Sequence, residues 1–432
     1  MLTNKVTWLL GLMLAPHTLA LLGNTAATLQ GLTPFAIGAG AICFWLNGQS
    51  LVRWSSADHP ADNISNAKML ALKHLPVQVL FYSGRIVATV SIATVLLVTA
   101  GFVFNETFAY WFPNFAFAFL LLGVVVFIHM LGPKAAQRVQ NAFIGISLAG
   151  IILLTVWGVV GSQPPLNQPI AQAPALSVRA VWSILLLFVG FDLWTNTHPN
   201  DGSQPNKPVF IGLLLAGILF ALWAAVSVEY VPAAKLADSF IPHTLAARAM
   251  AGQAGRLVMG VVLISGACAA VNALLWDQTR SLSELTKRFE GSLFSKPWFR
   301  RLPMGSFLAG VIIAAMMVTG LAGTDSIDTY VRTGLYLWLF YYGAVHLVVL
   351  MPGSDQKQPL SAIQVLISLV GLATMTIGGA LLIATDPQPT LVLKVALPTV
   401  AVMTIAVLAS RMRTQKMMCA RNGVANRPKV SR

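Results

Sequence analysis

The chain has 432 residues, 56% of them hydrophobic and only 10% charged, with a mean hydropathy of +0.73. Soluble domains carry about 25% charged residues, so this composition excludes a soluble enzyme or binding module and indicates an integral membrane protein. The net charge of +14 follows from Lys and Arg gathering in loops on one side of a membrane, and no nucleic-acid partner is implied.

Apolar runs of spanning length fall at 7–27, 34–54, 77–104, 116–133, 140–161, 176–197, 208–231, 256–280, 304–323, 327–350, 361–384 and 390–411, twelve candidate helices in all. Lys5 ahead of the first run is the pattern of a signal peptide. The apolar character nevertheless continues to Ala27 with no small-residue cleavage site, so the run is read as retained. With the N-terminus inside, only Arg179, Lys235, Arg248, Arg256, Arg332 and Lys394 fall outside. Every other Lys and Arg, Arg85 included, is assigned to cytoplasmic segments. That asymmetry predicts two cytoplasmic termini in a plasma membrane, here a bacterial inner membrane. Ser162–Ala175, rich in Pro and Gln, reads as an extended connector. Glu229–Gly255 is either a short amphipathic helix around Pro242 or a plain loop. The basic tail at 412–432 reads as a solvated anchor to anionic lipid. Cys43, Cys268 and Cys419 are too widely spaced for a disulfide framework or a zinc site.

Two spans are interrupted. The first carries A-P-H-T at 15–18, and Pro16 lacks an N–H and clashes with the carbonyl four residues earlier, which predicts a break near Gly11–Ala15. The sixth ends in F-V-G-F-D-L-W-T-N-T-H-P-N at 188–200: Gly190 lets the backbone open, Asp192 puts a carboxyl group at membrane depth, and Pro199 ends the segment. Opened backbone is tolerated there only where it lines a cavity, and an intramembrane carboxylate marks a functional site. The competing reading ends the helix near Gly190 with Asp192 in interfacial water. Interrupted spans five helices apart point to a carrier built of inverted repeats. Free N–H groups at one break suit a carboxylate and free carbonyls at the other suit an ammonium, so the matching solute is a zwitterion such as an amino acid.

Several stretches together resemble the amino acid–polyamine–organocation transporter superfamily. F-V-G-F-D at 188–192 resembles its sixth-helix motif. A-V-N-A-L-L-W-D-Q-T-R-S-L at 270–282 is similar to its eighth helix, with Asn272, Thr279 and Arg280 at the matching places. V-Q-N-A-F-I-G-I-S at 139–147 resembles its fifth helix, and Q-G-L-T-P-F at 30–35 the turn into its second. The resemblance implies an all-α leucine-transporter fold: repeats at 1–161 and 176–350, two appended helices at 361–411, and alternating access around a substrate site. It places Leu14, Ala15, Pro16 and His17 beside the first break. Phe188, Gly190, Phe191 and Asp192 fall on the unwound part of the sixth helix. Trp194 is an aromatic lid in one reading and, in the favoured one, a lipid-facing or interfacial residue. Two departures stand out. G-L-M-L-A-P-H replaces the family's glycine-rich first-helix stretch, and T-H-P-N-D-G-S-Q-P replaces the usual acidic pair with its following Asn-Pro.

The coupling ion stays open between Na⁺, H⁺ and none. Ser147 occupies the place of a lysine found in proton-coupled relatives, and Ser265 with carbonyls of the first break offers oxygen ligands for sodium. A serine bonded to its own helix is the plainer reading. His17, Asp192, His129 and Glu229 are the titratable candidates, although a lone membrane histidine more often bonds helix to helix. Asp277 is expected to pair with Arg280 at i,i+3, and Glu106 and Asp325 to be solvated. No P-loop, zinc-protease motif or nucleophile–base arrangement is present in the sequence. The function expected is secondary transport of an amino acid or amine by a monomer or homodimer in lipid. The alternative is a transporter-like receptor or scaffold that binds without moving its ligand. The major facilitator architecture is disfavoured, because S-L-V-R-W-S-S-A-D-H-P lacks its basic motif.

Overall fold

In the computed structural model, residues 4–56, 74–161, 177–196, 206–287, 303–351 and 360–425 are described. Among them every regular element is helical. A chain this apolar has no water at membrane depth to satisfy its N–H and C=O groups, so it satisfies them within helices.

The first span is two helices, α1 (Asn4–Met13) and α2 (Pro16–Leu29). Next come α3 (Thr33–Ser56), α4 (Leu75–Thr107), α5 (Asn114–Met130) and α6 (Pro133–Val160). The sixth span contains only one turn and a half of α-helix, α7 (Val178–Ser183), followed by 3₁₀ turns at Ile184–Phe188 and Phe191–Asn196. Then follow α8 (Asn206–Tyr230), α9 (Ala233–Ala237), α10 (Pro242–Lys287), α11 (Met304–Val318), α12 (Asp325–Leu350), α13 (Ala362–Ala384) and α14 (Pro389–Ala425). Nine described stretches are long and apolar enough to cross a membrane, while α5 and α11 are shorter apolar helices. The described parts of the predicted runs lie mostly in helical structure.

Sequence punctuation sets the ends. Pro16 opens α2 and Pro133 opens α6 at positions whose N–H would be unpaired in any case. Ser361 and Gln364 close a capping box at the start of α13, with the Ser361 N–H donating to Gln364 Oε1 at 2.9 Å. The 229–255 stretch is helical on both sides of Pro242: α9 precedes it, and the start of α10 follows as a separate piece that ends in the non-helical backbone of Ala251 and Gly252. Ser162–Ala175, the segment T-H-P-N-D-G-S-Q-P and the end of the basic tail lie outside the described residues. The helix of the last span runs past its predicted end to Ala425.

The core packs α4 against α12 and α10 against both α4 and α6. Small residues allow the first of these contacts. A Cβ at Gly334 would lie 2.6 Å from the Ala88 nitrogen, and one at Gly84 would lie 3.0 Å from the Trp338 nitrogen. That close approach brings Arg85 of α4 onto the ring of Trp338.

Candidate functional site

The two interruptions meet. In the first, Leu14 still donates to the Leu10 carbonyl (3.1 Å) and Ala15 to Leu12 (3.3 Å), and then Ala15 turns extended (φ −72°, ψ 151°) before Pro16 restarts the helix. The Thr18 hydroxyl reaches back to the Leu12 carbonyl at 2.9 Å. Leu14 and Ala15 are fully buried, and the Leu14 carbonyl lies against the backbone of Gly266 on α10.

The second interruption lies at Val189 (φ −60°, ψ 139°) and Gly190 (φ +90°). A φ of +90° is accessible to glycine and strained for other residues. A Cβ at Gly190 would also come within 2.7 Å of Leu12, so α1 presses directly on this break. The residues after it, Phe191–Asn196, form i→i+3 turns rather than α-helix, with Leu193 donating to the Gly190 carbonyl at 3.0 Å.

Distant residues satisfy the polar groups of this second break. The Gly190 N–H donates to the Tyr342 hydroxyl of α12 at 3.2 Å, and that hydroxyl donates to Asp192 Oδ1 at 2.9 Å. The other oxygen, Asp192 Oδ2, takes Nη2 of Arg85 from α4, while Nη1 of the same guanidinium binds Asp277 Oδ2 from α10. Arg85 is 1% exposed and Asp192 and Asp277 are equally buried. The Arg85 guanidinium carbon sits 4.5 Å from the centroids of both Phe81 and Trp338, a cation–π sandwich in a dry site. Gln278 Nε2 holds the Arg85 carbonyl at 3.0 Å. An arginine fork is suited to bridging two carboxylates in one plane. Around the break, the Phe44 ring contacts Phe188 (5.7 Å), Phe191 (5.3 Å) and Tyr342 (5.7 Å), an apolar wall built from α3, the sixth span and α12.

The structure therefore gathers Leu14, Ala15, Phe188, Gly190, Phe191, Asp192 and Trp194 in one buried region. Pro16 and His17 stand at the start of α2, where His17 Nε2 lies 3.3 Å from the Thr18 hydroxyl. Among the described residues no hydrogen bond joins His17 to Asp192. Ser147 and Ser265 are 2.8 Å apart, and Ser265 also donates to Val261 of its own helix at 2.7 Å. Asn272 bonds His129, the Ala136 carbonyl and Gln140. Glu229 and Glu106 are exposed.

Two expectations are corrected and one is extended. Asp277 binds Arg85 of α4 across the bundle, and Arg280 donates to the Thr195 carbonyl at 3.0 Å. Trp194 is 1% exposed, so it faces protein and not lipid. Arg85 is no loop charge: it lies ten residues inside α4. The signal was present, since a basic residue in F-Y-S-G-R-I-V, within an apolar run, needs an acidic partner at that depth. Tyr342 and Phe44 carried no comparable signal, because tyrosine and phenylalanine are ordinary in spanning helices.

A model of the amino acid permease family matches residues 73–408. The chain belongs to that family. The branched-chain amino acid permease BcaP of Bacillus subtilis (strain 168) is 25% identical over 177 residues, and the match spans 39% of this chain and 37% of that relative's length. Two variant structures of the Eremococcus coleocola manganese transporter superpose with TM-scores of 0.64 and 0.63 at 13% identity. Both cover 96% of this chain, and 94% and 95% of theirs. At that identity the likeness carries the fold alone, which is the all-α leucine-transporter type. This permease is thus a multi-pass membrane protein.

Proposed function

We propose that this permease moves an amino acid or related amine by alternating access, with the solute held between the breaks of the first and sixth spans. The repeats at 1–161 and 176–350 rock against each other, and the basic loops and both termini face the cytoplasm. The observation that supports this best is the junction at Gly190. Its buried N–H has no partner within the opened helix and donates instead to the Tyr342 hydroxyl at 3.2 Å. A substrate carboxylate accepts from the same N–H once Tyr342 turns aside, which also frees Asp192 Oδ1 to receive an ammonium. Phe44, Phe188 and Phe191 offer an apolar wall for the side chain, in keeping with the likeness to a branched-chain amino acid permease.

Reconstitution in proteoliposomes tests this reading. Saturable uptake or counterflow of a radiolabelled aliphatic amino acid is expected, with Asp192→Asn reducing flux and leaving the protein folded. Binding without counterflow would favour the receptor alternative, and no saturable flux across a panel of amino acids and amines would remove the carrier reading.

A further inference from the structure

Four described buried or half-buried histidines differ in what surrounds the imidazole. Neither ring nitrogen of His243 or of His346 has a hydrogen-bond partner, and Nδ1 of His17 has none. His129, near the end of α5, is bonded at both: Nε2 to Asn272 Oδ1 at 2.9 Å and Nδ1 to the Ser306 hydroxyl at 2.5 Å. The first contact is fixed in sense. Asn272 uses its amide nitrogen on the Ala136 carbonyl (3.2 Å) and on Gln140 Oε1 (2.7 Å), so its oxygen meets His129 and Nε2 carries hydrogen. The second contact is reversible. Ser306 can donate to Nδ1, or turn its proton to the Leu275 carbonyl at 2.9 Å and accept from Nδ1–H. A proton can therefore be added at Nδ1 with every hydrogen bond of the ring kept.

No carboxylate or basic group faces the ring among the described residues. On α4, Arg85 is committed to Asp192 and Asp277. On α6, Lys134 and Arg138 are exposed. On α10, Asp277 is turned to Arg85, Arg280 to Thr195, and Arg256 to the Glu106 carbonyl. The sequence of α11 has no ionisable residue. The hydrogen-bond chain from His129 also reaches α1: Gln140 donates to the Thr7 carbonyl at 3.2 Å, and Trp8 Nε1 donates to Gln137 Oε1 at 2.5 Å on the same face of α6.

We infer that His129 is the coupling-proton site of this transporter, linked through Asn272 and Gln140 to the half-helix α1. This rests on the carrier reading above. A charge on a ring buried without a counter-charge is costly, so protonation favours conformations in which α5, α10 and α1 separate and water reaches the imidazole. Loss of the proton favours the closed packing seen here.

Two measurements decide it. The Trp276 ring lies edge-on to His129 with centroids 5.5 Å apart, and a protonated imidazole quenches indole emission. Acid titration of the full chain in detergent is expected to show a quenching step that vanishes in His129→Gln and in Trp276→Phe, and moves in Ser306→Ala. A step that persists in His129→Gln, or none in the wild type, overturns the assignment, and Ser306→Ala keeps the test open should His129→Gln fail to fold. In proteoliposomes given radiolabelled leucine outside, an inward proton gradient should drive accumulation in the wild type and add nothing in His129→Gln. Equal stimulation of both overturns the coupling. Absence of any flux in the wild type instead counts against the carrier reading, and the fluorescence step still decides the proton site.

Discussion

The two breaks differ in where their polar groups find partners. In the first, the chain mends itself from nearby: Leu14 and Ala15 donate to carbonyls three or four residues back, and Thr18 returns a hydroxyl to Leu12. In the second, the partners come from α4, α10 and α12, with Arg85 107 residues from Asp192 and Tyr342 152 residues from Gly190. A locally mended break can open and close at modest cost. A break tied to three other helices cannot move unless those helices, or their side chains, release it. The first is therefore the flexible element of the pair and the second the junction that reports to the rest of the bundle.

Removing the arginine should disturb this contrast most. Arg85→Leu leaves Asp192 and Asp277 buried without their shared cation, and breaking a buried pair costs about 3–5 kcal/mol. Equilibrium unfolding in detergent checks the loss. The triple variant Arg85→Leu, Asp192→Asn, Asp277→Asn should recover most of it, because the cost comes from stranded charge and not from lost packing. A triple variant as unstable as the single one would show that Arg85 acts as a space-filling group.

A smaller effect is expected at Tyr342. Tyr342→Phe removes a hydroxyl that accepts from Gly190 and donates to Asp192, costing about 1–3 kcal/mol for the buried groups left behind. If the hydroxyl occupies the place of a substrate carboxylate, the same variant should bind substrate more tightly than its stability predicts. Tighter half-saturation in uptake, alongside a lower melting temperature, separates that role from simple support.

How much of this was legible in the letters follows from the same contrast. Pro16 and Gly190 announce their breaks because proline and glycine act on their own backbone. Asp192 announces a need, since a carboxylate at that depth demands a partner. The partner's identity is a tertiary fact. Arg85 was present in the sequence, but near a predicted span end it looked like one more loop charge. Asp277 has Arg280 three residues away on its own helix, a local partner that hides from the sequence the pairing with Arg85 that the packing of α4 against α10 creates. Trp194 is the type of residue that marks an interface, and the packing of α1, α8 and α10 around the 3₁₀ turns places it inside the bundle. Gly84 and Gly334 gave no signal of their role, because their service is to let two distant helices approach.

The smallest effect on stability, and the sharpest on the contrast, is expected from Pro16→Ala. Proline at the first position of α2 restricts the unfolded chain, and its loss there costs about 0.4–1 kcal/mol. Alanine also restores an N–H at position 16, which can donate to the Leu12 carbonyl now shared by Ala15 and Thr18. That change removes the steric reason for the gap and lets α1 run on into α2. A nearly wild-type melting temperature with reduced transport would mark the first break as a working hinge, whereas unchanged transport would leave the second break as the sole moving part.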